Sequence, residues 1–223
     1  ASHQLRSPIT AIRGYASLLI DGDFGQMPAE AKEPLERIEQ SSKRMAMSIE
    51  DYLNVSRIES GNMKYNYSDF SLRNEVEKLT DDMRAEAIKK GLTLLFRTTD
   101  LQGQGMVHAD IGKAMQIVQN LVNNAIKYTP EGSVSVYVRD DASKKKVFVD
   151  VVDTGVGIDA DELEKVFVKF ERARNANAVN AHGTGLGLFV AIKMAKAMDG
   201  DIIVHSDGQG KGSRFTVSLP LAA

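Results

Sequence analysis

The spacing of apolar residues changes near Gly61, and this change predicts two domains of different classes. Before it, apolar side chains recur every three or four positions, as they do in amphipathic helices. Residues 21–28 break this pattern with Gly and Pro, so we expect a helical hairpin in residues 1–66. Residues 67–223 alternate short strand-like runs with helical runs, and they are predicted to form a separate domain.

The second helix of the predicted hairpin carries an apolar seam that its partner helix alone cannot bury. The seam consists of Leu35, Ile38, Ser42, Met45, Ile49 and either Tyr52 or Leu53. Because a hairpin of two helices covers such a stripe on one side only, we expect two copies to pair in a four-helix bundle. A bundle completed by later segments of the same chain is the alternative.

The region after the hairpin predicts an α+β sandwich, with helices on one face of a mostly antiparallel sheet. Its strand-like runs are 93–97, 134–139, 147–152, 202–205 and 215–219. Its helical runs are 71–90, 110–127 and 186–199, of which the first is expected to end at Gly91 and the third at Gly200.

Composition excludes several classes of protein. The 28 Lys and Arg residues are balanced by 30 Asp and Glu, a net charge of -2, so broad binding to nucleic acid or to an anionic membrane is not expected. Without Cys, the chain has no disulfide and no Cys-ligated zinc. No apolar run approaches the roughly 18 residues of a membrane span, so we expect a soluble fragment of a longer protein.

His3 is predicted to face solvent on the first helix. At about 100° per residue, one direction of this helix is shared by Leu5, Ile9, Ile12, Ala16 and Leu19, and His3 lies about 160° from it. Ser7 projects beside His3 one turn later, and Pro8 predicts a kink at the same place. An exposed neutral imidazole is a competent nucleophile near pH 7, although a lone His is more often structural.

Two glycine-rich segments do not match the common nucleotide loops. Residues 183–188 lack the last glycine of G-x-G-x-x-G, and residues 210–213 do not follow G-x-x-x-x-G-K-[ST], so neither a Rossmann fold nor a P-loop is predicted. Gly183, Gly185 and Gly187 instead open a predicted helix, where backbone N–H groups and the helix dipole favour phosphate oxygens. A flexible loop is the alternative interpretation.

Asp153 stands where the predicted strand 147–152 ends, shortly before Gly155 and Gly157. Those glycines let a planar ligand approach the backbone, and a buried carboxylate accepts a hydrogen bond from an amine such as adenine N6. Guanine presents an acceptor there, which leaves the carboxylate unpaired at a cost of at least about 1 to 3 kcal/mol. The segment predicts ATP in preference to GTP, unless Asp-Thr-Gly is only a turn.

One polar face of the predicted helix 110–127 carries Asn120, Asn124 and Lys127, opposite an apolar stripe. An Asn carbonyl oxygen is a hard ligand suited to Mg²⁺, which binds largely through phosphates, and Lys127 adds positive charge for those phosphates. A solvated face explains this helix alone equally well. Its combination with Asp153 and the glycines favours a nucleotide site.

Together these segments resemble the transmitter core of a two-component sensor histidine kinase, over essentially the whole chain. Residues 2–8 (SHQLRSP) resemble the family's H-box, and residues 120–128 (NLVNNAIKY) resemble its N-box. Residues 153–157 (DTGVG), 167–172 (FVKFER) and 183–187 (GTGLG) resemble the first glycine box, the F-box and the second glycine box. The resemblance implies a dimerising hairpin followed by an ATP-binding domain of Bergerat (GHKL) type.

The resemblance also implies a role for each matching residue. His3 is implied to receive the γ-phosphoryl group of ATP, Asn124 to ligate Mg²⁺, and Arg172 to stabilise charge on the transferring group. The other implied nucleotide-binding residues are Asn120, Lys127, Tyr128, Asp153, Gly155, Gly157, Ile158, Phe170, Gly183, Thr184, Gly185, Leu186, Gly187 and Leu188. Residues 169–182 correspond to the ATP lid, which we expect to be mobile without nucleotide.

Two residues near His3 differ from the family's usual pattern. Gln4 stands where a carboxylate commonly acts as a base; an amide orients the ring but takes no proton, so part of a rate effect of about 10² to 10⁴ is expected to be lost. Ser7 replaces the Thr or Asn with which relatives position water to dephosphorylate the regulator. Its hydroxyl retains the chemistry that a phosphatase step needs.

The activity implied is that of an ATP-dependent protein-histidine kinase, which passes the phosphoryl group from His3 to an aspartate of a response-regulator receiver domain. The resemblance further implies a homodimer through the hairpin and the cytoplasmic portion of a membrane-bound sensor, with membrane attachment only through an upstream region. The alternatives are a nucleotide-gated binding module of the GHKL class and a regulator phosphatase with weak or no autokinase activity.

Overall fold

The computed structural model describes residues 2–98, 105–171, 173 and 183–222, with the backbone alone for residues 2–6. The chain divides into two compact units, Ala1–Met63 and Lys64–Ala223. None of the helices among the described residues combines the length and the apolar character that a membrane span requires.

The first unit is a hairpin of two long helices, α1 (Ser2–Asp21) and α2 (Ala29–Glu59), which pack against each other. Helix α1 continues through Pro8. Ile9 and Ala16 of α1 and Ser42 of α2 are buried. The predicted helical hairpin is therefore confirmed.

Many large apolar side chains of this hairpin remain exposed. They are Ile12, Tyr15 and Leu18 of α1, Phe24 and Met27 of the connecting segment, and Ile38, Met45, Met47 and Tyr52 of α2, with 36% to 63% of each side chain accessible. Ile38, Met45 and Tyr52 belong to the predicted apolar seam. A single hairpin thus leaves part of its seam uncovered, as the helical pattern indicates.

Besides two short 3-10 helices at Ala160–Glu162 and Lys165–Phe167, the second unit contains, within its described residues, seven strands and three α-helices. In chain order these are β1 (Tyr67–Ser71), α3 (Leu72–Lys89), β2 (Thr93–Thr98), β3 (Met106–Asp110), α4 (Ile111–Tyr128), β4 (Ser133–Asp141), β5 (Lys146–Asp153), α5 (Gly187–Ala197), β6 (Asp201–His205) and β7 (Ser213–Pro220). The main sheet has the order β2-β4-β5-β7-β6, in which only β2 and β4 pair in parallel. This confirms the mostly antiparallel α+β sandwich.

The core of the second unit lies where the helices pack on this sheet. Alternate residues of the central strands are fully buried, namely Val134, Val136 and Val138 of β4 and Val147, Val149 and Val151 of β5. Helix α4 contributes the buried residues Ala114, Ile117, Val118, Leu121, Val122, Ala125 and Ile126. Because burying one such side chain stabilises the fold by about 1.5 to 3 kcal/mol, this face fixes the orientation of α4 and presents its polar face outward.

Side-chain caps set where two helices begin. The Ser71 hydroxyl accepts a hydrogen bond from the Asn74 N–H, which starts α3. The Asp110 carboxylate accepts a hydrogen bond of 2.9 Å from the Lys113 N–H, which starts α4. It also accepts a hydrogen bond of 2.7 Å from the N–H of Asn66, the residue before β1, and so holds the start of β1 next to α4. The cap fixes the register of the helix that carries Asn120 and Asn124.

The structure differs from the predicted elements in two places. The small antiparallel sheet of β1 and β3 was not predicted, because both strands have five residues and lack a clear alternation. Helix α5 ends at Ala197, earlier than predicted, and Gly200 donates its N–H to the Ala195 carbonyl. A Cβ on Gly200 would lie 2.2 Å from the Ser218 carbonyl oxygen, so this glycine is needed for close packing against β7.

Candidate functional site

Asp153, the last residue of β5, forms the buried floor of the candidate site, with 6% of its surface exposed. Its Oδ1 accepts hydrogen bonds from the N–H groups of Gly155 at 2.9 Å and Ser213 at 3.2 Å. Its Oδ2 accepts one from the Ser213 hydroxyl at 2.5 Å. The carboxylate is thus fixed at a strand end, with room on Oδ2 for a further donor.

Burial raises the pKa of the Asp153 carboxyl, and the hydrogen bonds from Ser213 and Gly155 partly oppose this effect. Desolvation penalises the charged form, whereas donors stabilise it. A ligand that brings one more N–H group to this carboxylate therefore relieves part of the cost of burying its charge.

Gly155 and Gly157 lie against protein backbone on the sides where a Cβ would stand. On Gly155 a Cβ would be 2.3 Å from the Tyr128 carbonyl oxygen, and on Gly157 it would be 2.0 Å from the Gly208 carbonyl oxygen. Gly157 also has a φ of +69°. The glycines let residues 153–158 pack between the end of α4 and the β6–β7 connection.

The carbonyl of Tyr128 joins this loop to α4, because it accepts a hydrogen bond of 3.1 Å from the Val156 N–H. The loop that follows Asp153 therefore lies directly beside the end of α4. Ile158, which follows the loop, is buried, with 9% exposed.

The predicted polar face of α4 is present. Asn124 donates its Nδ2–H to Asn120 Oδ1 at 3.2 Å, and both side chains are half-buried. Among the described residues no donor hydrogen-bonds to Asn124 Oδ1, which leaves a hard oxygen ligand for a cation. Lys127 Nζ lies 4.9 Å from the centroid of the Tyr128 ring.

The chemistry of these groups fits a magnesium ion bound mainly by phosphates. No group of three or more His, Asp and Glu side chains within the described ranges forms a protein metal cage. A single amide oxygen suits Mg²⁺, which keeps most of its water or phosphate ligands, while Lys127 provides positive charge for the phosphates themselves.

Gly187 packs against the N-box helix, and Gly185 packs against the F-box segment. A Cβ on Gly187 would lie 2.7 Å from Asn120 Nδ2, so the start of α5 touches the polar face of α4. Gly185, with a φ of +68°, accepts a hydrogen bond of 3.0 Å from the Phe170 N–H. Three segments that are distant in sequence therefore meet at one place.

The remaining residues of this segment have different environments. Leu186 is fully buried, and its N–H donates to the Thr184 hydroxyl at 3.3 Å. Gly183 and Leu188 are half-buried. Phe170 is 60% exposed and has a φ of +63°. Leu186 thus supports the helix start from the core, whereas Phe170 is available at the surface.

Several predicted site features lie outside what the structure describes. Arg172 and most of the predicted lid, residues 174–182, are among these, and so is the predicted mobility of the lid. The side chains of His3 and Gln4 also lie outside the described residues, and with them the predicted outward direction of His3. Ser7 is described and is exposed.

Sequence reasoning missed two serines of the site. Ser213 donates to Asp153, and Ser206 accepts a hydrogen bond from the Ile158 N–H at 2.9 Å. Residues 210–213 were considered only as a P-loop, which they are not. The available signal was their position before β7, because a short glycine-rich connection into a central strand places side chains beside the strand that pairs with it.

Comparison with known families gives two matches that follow the two units. Residues 1–61 match the His Kinase A (phospho-acceptor) domain. Residues 109–223, more than half of the chain, match the histidine kinase-, DNA gyrase B-, and HSP90-like ATPase family. The chain belongs to the sensor histidine kinase family. Its hairpin and its sandwich are thus the two domains of a histidine kinase core.

Two bacterial sensor kinases, LuxQ and ArcB, align with nearly the whole chain. The autoinducer 2 sensor kinase/phosphatase LuxQ of Vibrio parahaemolyticus is 31% identical over 99% of this chain and 26% of its own length. The aerobic respiration control sensor ArcB of Escherichia coli is 33% identical over 98% of this chain and 27% of its own. The chain spans about a quarter of the length of these kinases.

Solved histidine kinase structures share the fold. Full-length ShkA, in complex with AMPPNP, has a TM-score of 0.78 at 24% identity and covers 100% of this chain, which corresponds to 45% of ShkA. AdeS of Acinetobacter baumannii has a TM-score of 0.66 at 23% identity, covering 99% of this chain and 98% of AdeS. At these identities the likeness concerns the fold.

Proposed function

We propose that this histidine kinase core transfers the γ-phosphoryl group of ATP to His3 and then to an aspartate of a response-regulator receiver domain. The observation that carries the proposal is the buried Asp153 carboxylate, joined through Tyr128 to the amide-bearing face of α4 in an ATPase-type domain. The phospho-acceptor match over residues 1–61, which contain His3, supplies the acceptor.

The adenine base lies at Asp153 in this proposal. Adenine N6 donates to the Asp153 carboxylate, which the Ser213 hydroxyl and the Gly155 N–H already hold in place. Guanine would direct its O6 acceptor at the same carboxylate and leave a buried charge unpaired. ATP is therefore the expected substrate and GTP is not.

The phosphates lie along the polar face of α4 and the start of α5. Lys127 attracts phosphate oxygens, Asn120 and Tyr128 hold them, and the backbone N–H groups at residues 183–187 donate to them. Asn124 Oδ1 would hold a magnesium ion, which neutralises charge on the phosphates when bound. Arg172 is the proposed residue for charge that develops on the transferring group.

His3 performs the transfer as a nucleophile. A ring nitrogen forms a bond to the γ-phosphorus while the bond from that phosphorus to the bridging oxygen breaks, and ADP leaves. Gln4 orients the ring but accepts no proton, so the ring proton is released to water. The reaction therefore relies on positioning and charge neutralisation.

Labelled ATP tests the proposal directly. Incubation with γ-labelled ATP and Mg²⁺ is expected to label the protein with phosphate that is lost in acid and kept in base. His3→Ala should abolish the label, whereas His205→Ala, which removes an exposed imidazole at the end of β6, should keep it. Hydrolysis of ATP by the wild-type chain without protein label would instead identify a nucleotide-gated binding module.

A phosphatase activity toward the regulator is a second candidate. It is favoured by the exposed Ser7, four residues after His3 in the sequence, and by the 31% identity to LuxQ, which is named a sensor kinase/phosphatase. Release of phosphate from a supplied phospho-regulator, lost in Ser7→Ala but not in Ser17→Ala, would support it. Equal release by both variants would exclude a role for Ser7.

The same proposal includes assembly and location. We expect residues 1–66 to form the dimerising phosphotransfer domain, residues 67–223 to form the catalytic domain, and two hairpins to combine in a four-helix bundle. The chain is then the cytoplasmic portion of a membrane-bound sensor.

A further inference from the structure

The hydroxyl of Ser206 connects the two segments that donate hydrogen bonds to the Asp153 carboxylate, one through Gly155 and the other through Ser213. It accepts a hydrogen bond of 2.9 Å from the N–H of Ile158, the residue that follows the first glycine box. It also donates a hydrogen bond of 2.6 Å to the carbonyl of Gly212, the residue before Ser213. A single hydroxyl thus uses its proton on one segment and a lone pair on the other.

Backbone hydrogen bonds align the same two segments. The Gly210 N–H donates to the Val156 carbonyl at 2.7 Å, and the Gly212 N–H donates to the Gly155 carbonyl at 3.0 Å. Residues 206–212 therefore run alongside residues 155–158, and Ser206 closes the end of this pairing at Ile158.

The packing of these segments leaves little space for adjustment. Gly157 and Gly212 both have a φ of +69°. A Cβ on Gly157 would lie 2.0 Å from the Gly208 carbonyl oxygen, and a Cβ on Gly212 would lie 2.0 Å from the Asp153 carbonyl oxygen. A shift of the β6–β7 connection is therefore transmitted to the main chain beside Asp153.

We propose that Ser206 is a positioning residue for base recognition: it holds the first glycine box and Ser213 in the arrangement in which Asp153 reads adenine. Ser206 does not need to touch the nucleotide, because it acts through Ile158 and through Gly212. The inference rests on the proposed assignment of adenine to Asp153 and adds a determinant of specificity outside the five family motifs.

Removal of the hydroxyl should weaken binding at the base end of the nucleotide. Ser206→Ala leaves the Ile158 N–H and the Gly212 carbonyl without their partner, and we expect about tenfold weaker ADP binding by calorimetry. The ratio of ADP to GDP affinity should fall in parallel. In autophosphorylation the KM for ATP should rise while kcat stays within about twofold, because base binding contributes equally to ground and transition states.

Two further variants separate positioning from general loss of structure. Ser206→Thr keeps a hydroxyl and should restore most of the ADP affinity. Ser143→Ala removes a comparable hydroxyl bond, to Asp141 in the exposed β4–β5 turn, and should bind ADP like the wild type. In the unmodified chain the Ile158 amide should be protected from hydrogen exchange, a measurement that needs no variant.

The outcomes distinguish this inference from the proposed function. If the wild-type chain binds no ADP, the assignment of the nucleotide site fails. If the wild type binds ADP but Ser206→Ala binds it within about twofold and with the same preference over GDP, only the role of Ser206 fails. Equal weakening in Ser206→Ala and Ser206→Thr would also overturn it, because the hydroxyl would then not be the determinant.

Discussion

In the proposed site Asp153 accepts a hydrogen bond from adenine most strongly in its ionised form, because protonation removes the charge and turns one oxygen into a donor. Burial disfavours the ionised form. Because its pKa is raised in the folded protein, the protonated side chain is favoured by folding. Its contribution to stability is therefore present at low pH and lost as the pH rises through the raised pKa. The proposed binding of adenine has the opposite dependence, because it is strongest to the ionised carboxylate.

This difference predicts a pH profile for nucleotide binding. ADP affinity should decrease as the pH falls through the raised pKa of Asp153, at a higher pH than for an exposed aspartate. Calorimetric titration with ADP over a pH series that keeps the protein folded measures the profile. A profile that is flat above the ordinary pKa of aspartate, about 3.9, would contradict a role for this carboxylate in binding.

The same residue should determine which base is bound. In Asp153→Asn an amide N–H₂ group can take the place of Oδ2. This donor would face the amino group of adenine, which is also a donor, but it could donate a hydrogen bond to O6 of guanine. We expect ADP affinity to fall by at least about tenfold and GDP affinity to rise, from a hydrogen-bond difference of about 1 to 3 kcal/mol. Competition binding with the two diphosphates checks the reversal, and an unchanged preference for ADP would show that the base lies elsewhere.

The contact between α4 and α5 makes Gly187 a sensitive position. A Cβ there would lie 2.7 Å from Asn120 Nδ2, so Gly187→Ala should displace the Asn120 amide and its hydrogen bond with Asn124. We expect weaker binding of Mg²⁺ and ADP together, by about threefold to tenfold, in a protein that still folds. Calorimetry with and without magnesium measures the effect.

Gly14→Ala is the control for this substitution. Gly14 lies inside α1, where a Cβ would meet nothing within 4 Å beyond its own helix backbone, so alanine there should stabilise the helix by about 0.5 to 1 kcal/mol and leave nucleotide binding unchanged. Equal nucleotide affinities in the two variants would contradict the proposed position of Asn120 beside the phosphates.

The elements show what the sequence can and cannot predict. Helix α4 was predictable because its seven buried residues repeat with helical spacing and Asp110 caps its start. The bond between Asp153 and Ser213 joins residues 60 positions apart, and no local pattern encodes it. Likewise, the need for glycine at residue 155 arises from the Tyr128 carbonyl, a neighbour that only the folded chain brings near.

The uncovered hairpin seam predicts the assembly state of the whole chain. Met45 is 55% exposed on α2, so Met45→Glu should not disturb a single hairpin, but in a four-helix bundle it would bury a charge without a partner. We expect the wild-type chain to sediment as a dimer and Met45→Glu as a monomer. Sedimentation equilibrium measures the mass.

Ile88→Glu provides the matched control, because Ile88 is 65% exposed on α3 in the other unit. This variant should keep the mass of the wild type. A monomeric wild-type chain would show that there is no dimer contact. Dissociation by Ile88→Glu but not by Met45→Glu would place the dimer contact outside the hairpin.

The turn between β4 and β5 lies at the far end of β5 from Asp153. Asp141 closes it by accepting hydrogen bonds from the Ser143 hydroxyl and the Lys144 N–H, and these bonds lower the pKa of Asp141 to about 2. Seven residue steps along β5 correspond to roughly 23 Å. A fluorescent reporter inserted in this exposed turn therefore lies far from Asp153 along the strand, and nucleotide binding can be followed in the labelled protein.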